Sequence, residues 1–299
     1  MAQQVTAPAI RARKGSPPIV MVTAYDCPGA RIADEAGADV ILVGDSVGMV
    51  VLGYDDTLQV TLADMAHHVG AVARARPHAL VVGDLPWLTY HLDPADTVRN
   101  AASLIRAGAQ AVKLEGGRRR LAMVDGLMAA EIPVMGHLGL TPQSVHSQGG
   151  YRVQGQQAGA AVAIVEDARA LAEAGCFAIV LECVPREVAR VVTEEVAVPT
   201  IGIGAGPDCD GQVLVIHDLL GLEDRIAPKF VRRYGALKAD AIAAVAAYAD
   251  DVRDGSFPSD AESYHLADDV AASLDARHSS AGGPPGSRSS GATPGSRTA

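Results

Sequence analysis

Short apolar runs alternate with longer amphipathic stretches along most of this chain, and that alternation constrains its fold more than any other feature. The apolar runs lie at 19–23, 40–43, 80–83, 111–114, 134–136, 178–181, 200–203 and 212–216. They are short and rich in Val, Ile and Leu, as strands buried on both faces are. Between them, 61–75 opens with Thr61 and, three residues on, Asp64, a helix cap with its partner. The same stretch sets Leu62, Met65, Val69 and Val72 on one helical face. The stretch 93–107 opens Asp-Pro, a capping residue followed by proline at the first helical position. Three helical stretches end alike, at Ala36-Gly37-Ala38, Ala107-Gly108-Ala109 and Ala174-Gly175-Cys176. Glycine accepts the left-handed conformation that stops a helix, and a strand follows at once. Eight strands with intervening helices predict a single-domain α/β fold over 1–277, a closed (β/α)8 TIM barrel rather than an open doubly wound sheet.

The composition suits that fold. Aromatic residues make up 4% of the chain and hydrophobic residues 48%, so the core must be built from Ala, Val, Leu and Ile. Asp and Glu outnumber Lys and Arg by 35 to 25. The resulting charge of −10 offers no attractive field to nucleic acid or an anionic membrane, and neither is expected as a partner. An anionic substrate would need a local positive group or a metal. Cys27, Cys176, Cys183 and Cys209 form no CxxC pair and are expected to be reduced, mostly buried thiols of a cytoplasmic protein. There is no apolar run of about 18 residues to cross a membrane. Residues 1–10 lack the basic start and apolar stretch of a secretory signal, again pointing to the cytoplasm. The segment 278–299 is almost entirely Ser, Gly, Pro, Ala, Arg and Thr and is expected to be a disordered tail.

In such barrels chemistry sits at the C-terminal ends of the strands. Those positions read VGDS (43–46), VGDLP (82–86), KLEGG (113–117), GHLG (136–139), LECVP (181–185) and IGIGAG (201–206). Four of the six place a carboxylate after an apolar run: Asp45, Asp84, Glu115 and Glu182. A single acid there is as readily a cap for the following helix. Four on one rim repel one another unless a cation sits among them. Oxygen donors favour a hard ion, Mg²⁺, whereas zinc would ask for His or Cys at HxxxH or CxxC spacing, which is missing. Mg²⁺ chelated by a 2-oxo acid would stabilise the enolate formed by removing a proton beside the ketone. IGIGAG is G-x-G-x-G rather than G-x-G-x-x-G, so its glycines are read as permitting close backbone approach at the rim.

The runs MVTAYD (21–26), GDSVGM (44–49), KLEGG, GHLGLTPQSVH (136–146), GGYRVQG (149–155), LECVP, IGIGAG and PKFVRRY (228–234), with the stretch 210–218, follow one another in an order that resembles the ketopantoate hydroxymethyltransferase family. The resemblance covers about 10–264. It implies a Mg²⁺-containing (β/α)8 barrel of the phosphoenolpyruvate/pyruvate superfamily type, a homo-oligomer and usually a decamer. The implied reaction moves a hydroxymethyl group from 5,10-methylenetetrahydrofolate to 3-methyl-2-oxobutanoate, giving 2-dehydropantoate for pantothenate and coenzyme A synthesis. By position Asp45, Asp84 and Glu115 match the metal site, with Glu115 acting through water. Ser46 and Lys113 match groups that bind the oxo acid, together with Asp45 and Asp84, and Glu182 matches the general base.

The residues are compatible with those roles. Lys113 and Glu115 are two apart on one strand and face the same way. Lys113 then supplies the positive group an acidic protein needs, unless it is a structural ion pair. Glu182, partly desolvated beside Cys183 and Pro185, suits proton abstraction, or is a further metal ligand. His137 ends its strand where it can bond the substrate. His67, His68 and His91 read as structural or solvated, and His146 and His217 have no assigned chemistry. Cys183 reads as a small buried residue rather than a nucleophile. The glycine-bearing loops 45–56 and 141–155 are candidates to close over the substrate. Gly83 and Trp87 depart from the Ala and Phe commoner in the family. A carbon–carbon lyase or phosphonomutase of the same superfamily is the alternative, although the KKCGH-like loop of such lyases is missing; a noncatalytic scaffold is a third.

Overall fold

Alternation of side chains along each strand sorts this molecule into an apolar barrel interior, an apolar helical jacket and a polar mouth. The structure, a computed structural model, describes residues 4–225 and 228–281. In chain order the elements are α1 (Ala7–Arg11), β1 (Ile19–Thr23), α2 (Cys27–Glu35), β2 (Val40–Val43), α3 (Val47–Val50) and α4 (Leu62–Ala73). There follow β3 (Leu80–Asp84), α5 (Pro94–Ala107), β4 (Ala111–Glu115), α6 (Leu121–Ala129), β5 (Val134–Gly139), α7 (Val145–Gln148) and α8 (Ala158–Glu173). The remainder are β6 (Ala178–Glu182), α9 (Arg186–Glu195), β7 (Thr200–Ile203), β8 (Gly211–Leu214), α10 (Ile216–Leu220), α11 (Leu237–Asp254) and α12 (Asp268–Ala281).

All eight strands are parallel and pair in sequence order, and β8 closes the barrel against β1. Ile19, Met21, Val40, Leu42, Leu80, Val82, Ala111, Met135, Ala178, Val180, Ile201 and Val213 fill the interior as one cluster. Helix α1 plugs the N-terminal end: Ile10 is fully buried in this cluster, and Thr6 caps the helix by accepting from the Ala9 N–H. Residues of opposite parity, among them Ile41, Val43, Val81, Val112 and Ile179, pack outward against α4, α5, α6, α8 and α9.

The anticipated caps form. Thr61 and Asp64 make the reciprocal capping box of α4, and Asp93 accepts from the Asp96 N–H at the start of α5. Gly37, Gly108 and Gly175 all take positive φ at the ends of their helices. Two expectations need correcting. A helix does not stand between every pair of strands: only residues 204–210 join β7 to β8, too few to form one and return. The eighth strand begins one residue early and stops at Leu214, because Ile216 starts α10.

By compactness the chain divides into two units, 1–239 and 240–299. In the second, α11 buries no side chain, and Tyr248 packs edge-on to Phe257 with ring centroids 5.3 Å apart. The expected tail starts at His278, but α12 continues through Ala281; residues 282–299 lie outside the described residues. Among the described residues no helix is long and apolar enough to cross a membrane.

Candidate active site

Strand parity that turns Val82, Ala111, Met135 and Val180 inward does the same for Asp84, Lys113, Glu115, His137 and Glu182, which lie further along the same strands. Register then decides who meets whom. Asp84 pairs with Lys113 across β3 and β4, and Glu115 with His137 across β4 and β5. Lys113 Nζ accordingly lies 3.0 Å from Asp84 Oδ1, and His137 Nδ1 lies 3.5 Å from Glu115 Oε1. Lys113 Nζ is also 3.3 Å from His137 Nδ1. His137 Nε2 reaches within 3.2 Å of Glu182 Oε2. Glu182 is the most open of these groups, its side chain 17% exposed against 3% for Glu115.

Asp45 arrives differently, from the turn between β2 and α3. Its N–H donates to Asp84 Oδ2 at 3.1 Å, and its own Oδ2 accepts from Gln143 Nε2 at 2.8 Å. Ser46 beside it is joined to Tyr25 at 2.9 Å; Thr23 donates to Tyr25 at 2.9 Å and accepts from the Ile216 N–H at 3.2 Å. Every residue expected at the site is thus drawn to one mouth: Asp45, Ser46, Asp84, Lys113, Glu115, His137 and Glu182.

Negative charge dominates this buried cluster. Burial, together with the charges of Asp84 and Glu115, raises the Asp45 pKa well above the usual carboxylate range; Lys113 and Gln143 offset only part. Burial would lower the Lys113 pKa, but Asp84, Glu115 and Asp45 outweigh it and keep the ammonium firmly charged. For His137, burial and the Lys113 cation press downward, yet Glu115 and Glu182 prevail and take it up to about 9.

A hard cation fits this donor set. Asp84 Oδ1 is buried and receives no directed hydrogen bond, its contact with Lys113 being close but off the hydrogen-bonding direction. The Lys113 ammonium faces this oxygen, but with no hydrogen bond received its lone pairs stay open to a further ligand. Among the described residues no three His, Cys, Asp or Glu side chains are grouped so as to hold an ion by themselves. Mg²⁺ ordinarily takes only one or two carboxylates and completes its shell with water and substrate oxygens.

Sequence reasoning missed Gln143, Tyr90 and Tyr25. Gln143 and Tyr25 lie inside recognised runs without an obvious role, and Tyr90 lies outside them. Other expectations are corrected here. Only Cys176 is buried; Cys27, Cys183 and Cys209 are partly exposed, and all four are free thiols. Cys183 takes a left-handed φ of 47°, and burial with the Glu182 charge pushes its thiol up to about 12, unsuited to nucleophilic work. The segments 45–56 and 141–155 are not plain loops, since they carry α3, α7 and a 3₁₀ turn at Pro142–Ser144. His67 and His68 lie on α4, where His68 Nδ1 is 2.7 Å from the Tyr25 carbonyl, and His91 packs on Tyr90 with ring centroids 4.3 Å apart. His146 is exposed, and His217 lies against the Tyr25 ring. In IGIGAG the glycines do permit close approach: a Cβ on Gly204 would come 2.8 Å from the Phe230 ring.

The family model for ketopantoate hydroxymethyltransferase matches residues 4–260. This chain belongs to that family. A 3-methyl-2-oxobutanoate hydroxymethyltransferase of Methylobacterium sp. (strain 4-46) is 60% identical over 261 residues, spanning 86% of this chain and 89% of the relative. One from Moorella thermoacetica (strain ATCC 39073 / JCM 9320) is 56% identical, covering 88% of this chain and all of the relative. Among solved structures the fold resembles a phosphoenolpyruvate phosphomutase from Streptomyces platensis subsp. rosaceus, with TM-score 0.57 and 16% identity over 92% of this chain and 96% of the other. It also resembles a 2,3-dimethylmalate lyase of the PEP mutase/isocitrate lyase superfamily, with TM-score 0.55 and 19% identity over 93% and 100% of the two chains. Membership in the hydroxymethyltransferase family thus goes with a barrel fold like that of these structures.

Proposed function

We propose that the protein transfers a hydroxymethyl group from 5,10-methylenetetrahydrofolate to 3-methyl-2-oxobutanoate, forming 2-dehydropantoate, with Glu182 as the general base. The observation that carries this reading is the placement of Lys113 and Glu182 on opposite sides of His137 in one barrel mouth, within a chain of this family. Lys113 offers a permanent ammonium to the substrate carboxylate, with Ser46 as a neutral hydroxyl partner. Glu182, the least buried of the acids, takes the C3 proton; His137, 3.2 Å away, holds its carboxylate in position. C3 then bonds to the one-carbon unit, whose carbon–nitrogen bonds to the folate break, and water supplies the hydroxyl oxygen. Asp45 and Asp84 would hold Mg²⁺, with Glu115 acting through water because both of its oxygens already face His137 Nδ1 and the Gln143 N–H. The ion supplies Lewis-acid stabilisation of negative charge developing on the oxo-acid oxygens. The family resemblance further supports a cytoplasmic homo-oligomer, a decamer.

The decisive test is deuterium exchange at C3 of 3-methyl-2-oxobutanoate without folate, followed by NMR. The parent should exchange and Glu182→Gln should not. Equal rates would remove Glu182 as the base, and product formation without methylenetetrahydrofolate would overturn the donor.

A further inference from the structure

Gln143, outside the set of residues expected at this site, engages it through both its side-chain amide and its backbone. Its Nε2 donates to Asp45 Oδ2 at 2.8 Å and to the Leu85 carbonyl at 3.0 Å. Its Oε1 accepts from the Tyr90 hydroxyl at 2.5 Å, and its backbone N–H donates to Glu115 Oε2 at 3.1 Å. Tyr90 closes the ring by accepting from the Glu115 N–H at 3.2 Å. Both side chains are buried.

Hydrogen-bond chemistry allows this arrangement one orientation. The amide end facing Asp45 and the Leu85 carbonyl meets acceptors, so it must be the NH₂ group. Oε1 therefore faces Tyr90, whose single proton must go to it. With that proton committed, the phenol oxygen can only accept, and the Glu115 N–H is its donor. The hub thus engages one oxygen of Asp45 and one of Glu115, and it spans the turn after β2, the loop after β3, the end of β4 and the segment after β5.

We propose that Gln143 and Tyr90 are positioning residues, an amide–phenol hub that sets the Asp45 carboxylate so that its remaining oxygen serves a divalent cation, and the Glu115 carboxylate so that it serves that ion through water. The inference rests on the cation reading of this site given under the proposed function. The hub meets the acids of the mouth at these two carboxylates, and its effect passes through them. Residues that orient metal ligands in this way typically contribute about 10–100-fold to ion affinity.

The test is calorimetric titration of Mn²⁺ into the full chain, free of substrate, with thermal melting of each variant. Gln143→Met keeps the length of the side chain and removes its amide. Tyr90→Phe removes one oxygen and guards against misfolding of the first variant. Asp84→Asn reports on the cation site itself. Both hub variants should fold and bind Mn²⁺ about 10–100-fold more weakly. If they melt lower but bind as the parent does, while Asp84→Asn binds weakly, the hub is only structural and the proposal fails alone. If Asp84→Asn also binds as the parent does, or the parent binds no ion, the cation reading fails and the proposal with it.

Discussion

Asp84 and Lys113 are register partners on adjacent strands, and their buried side chains meet at 3.0 Å. Lys113 faces Asp84, Glu115 and Asp45 together, so it is the fixed counter-charge for the whole mouth. Lys113→Met should therefore do more than weaken substrate binding. Removing one partner of a buried pair leaves the other uncompensated and costs about 3–5 kcal/mol in denaturant unfolding. Affinity for 3-methyl-2-oxobutanoate should fall by about 10–100-fold, the worth of a charge-assisted hydrogen bond. Trp87, the chain's one tryptophan and 42% exposed three residues beyond Asp84, gives a fluorescence signal for that titration. Unchanged affinity would remove Lys113 from the oxo-acid site.

Gly139 governs the approach to Glu182. It has φ of 95°, and a Cβ there would fall 2.2 Å from the Glu182 carbonyl oxygen and 2.6 Å from Val184. Leu140 N–H donates to that carbonyl at 2.8 Å, so strands β5 and β6 are tied at the residue proposed as the base. Gly139→Ala should push β6 away from β5, costing about 1–3 kcal/mol of stability through strained backbone and clash. In the folded fraction kcat should drop more than KM rises, since Glu182 is displaced and Lys113 is not. Parent-like kcat would show that this contact does not place the base.

A directed chain of donors prepares Ser46. The Ile216 N–H donates to Thr23, Thr23 to Tyr25, and the phenol proton is then left for Ser46 Oγ, freeing the serine proton for a ligand. Tyr25→Phe should raise KM for the oxo acid about as much as Ser46→Ala, a few-fold to about tenfold for one neutral hydrogen bond. The double variant should be no worse than either single. Additive losses in KM would mean that the two hydroxyls act separately.

How far the site was legible depends on where each group sits. Asp84, Lys113, Glu115, His137 and Glu182 lie within strands, and strand parity is a two-residue rule that can be applied to a sequence directly. Their pairings were not legible, because register between strands is set by packing across the barrel. Gln143 and Tyr90 reach the site from the segments after β5 and β3, where there is no period to follow, and their value lies in contacts between segments 53 residues apart. The plug α1 had a legible signal, Thr6 capping a helix with Pro8 in its first turn, but its short length gave no apolar face to mark it. The missing helix between β7 and β8 follows from the short spacing alone, once the strand ends are fixed.

Asp210 is an acid inside a recognised run that stands apart from the mouth, since it immediately precedes β8 at the N-terminal end of that strand. It closes the barrel seam: Oδ2 meets Lys14 Nζ at 2.8 Å and accepts from the Thr200 N–H at 2.9 Å, while Oδ1 accepts from the Gly15 N–H at 3.0 Å. Burial acts to raise its pKa, but Lys14 and the two backbone donors outweigh it and hold the carboxyl below its ordinary 3.8. A depressed folded pKa gives stability that is complete above the unfolded value and is lost as pH falls through the folded one. Asp210→Asn should therefore be less stable than the parent at pH 7, by about 1–2 kcal/mol for the loss of charge-assisted bonds. The gap should hold down to about pH 5 and close below the ordinary carboxylate value, as the parent's Asp210 itself becomes protonated. Denaturant midpoints of the two proteins at pH 7, 5, 4 and 3 would read this directly. A gap that persists undiminished at the acid end would assign the loss to packing rather than to the charge of Asp210.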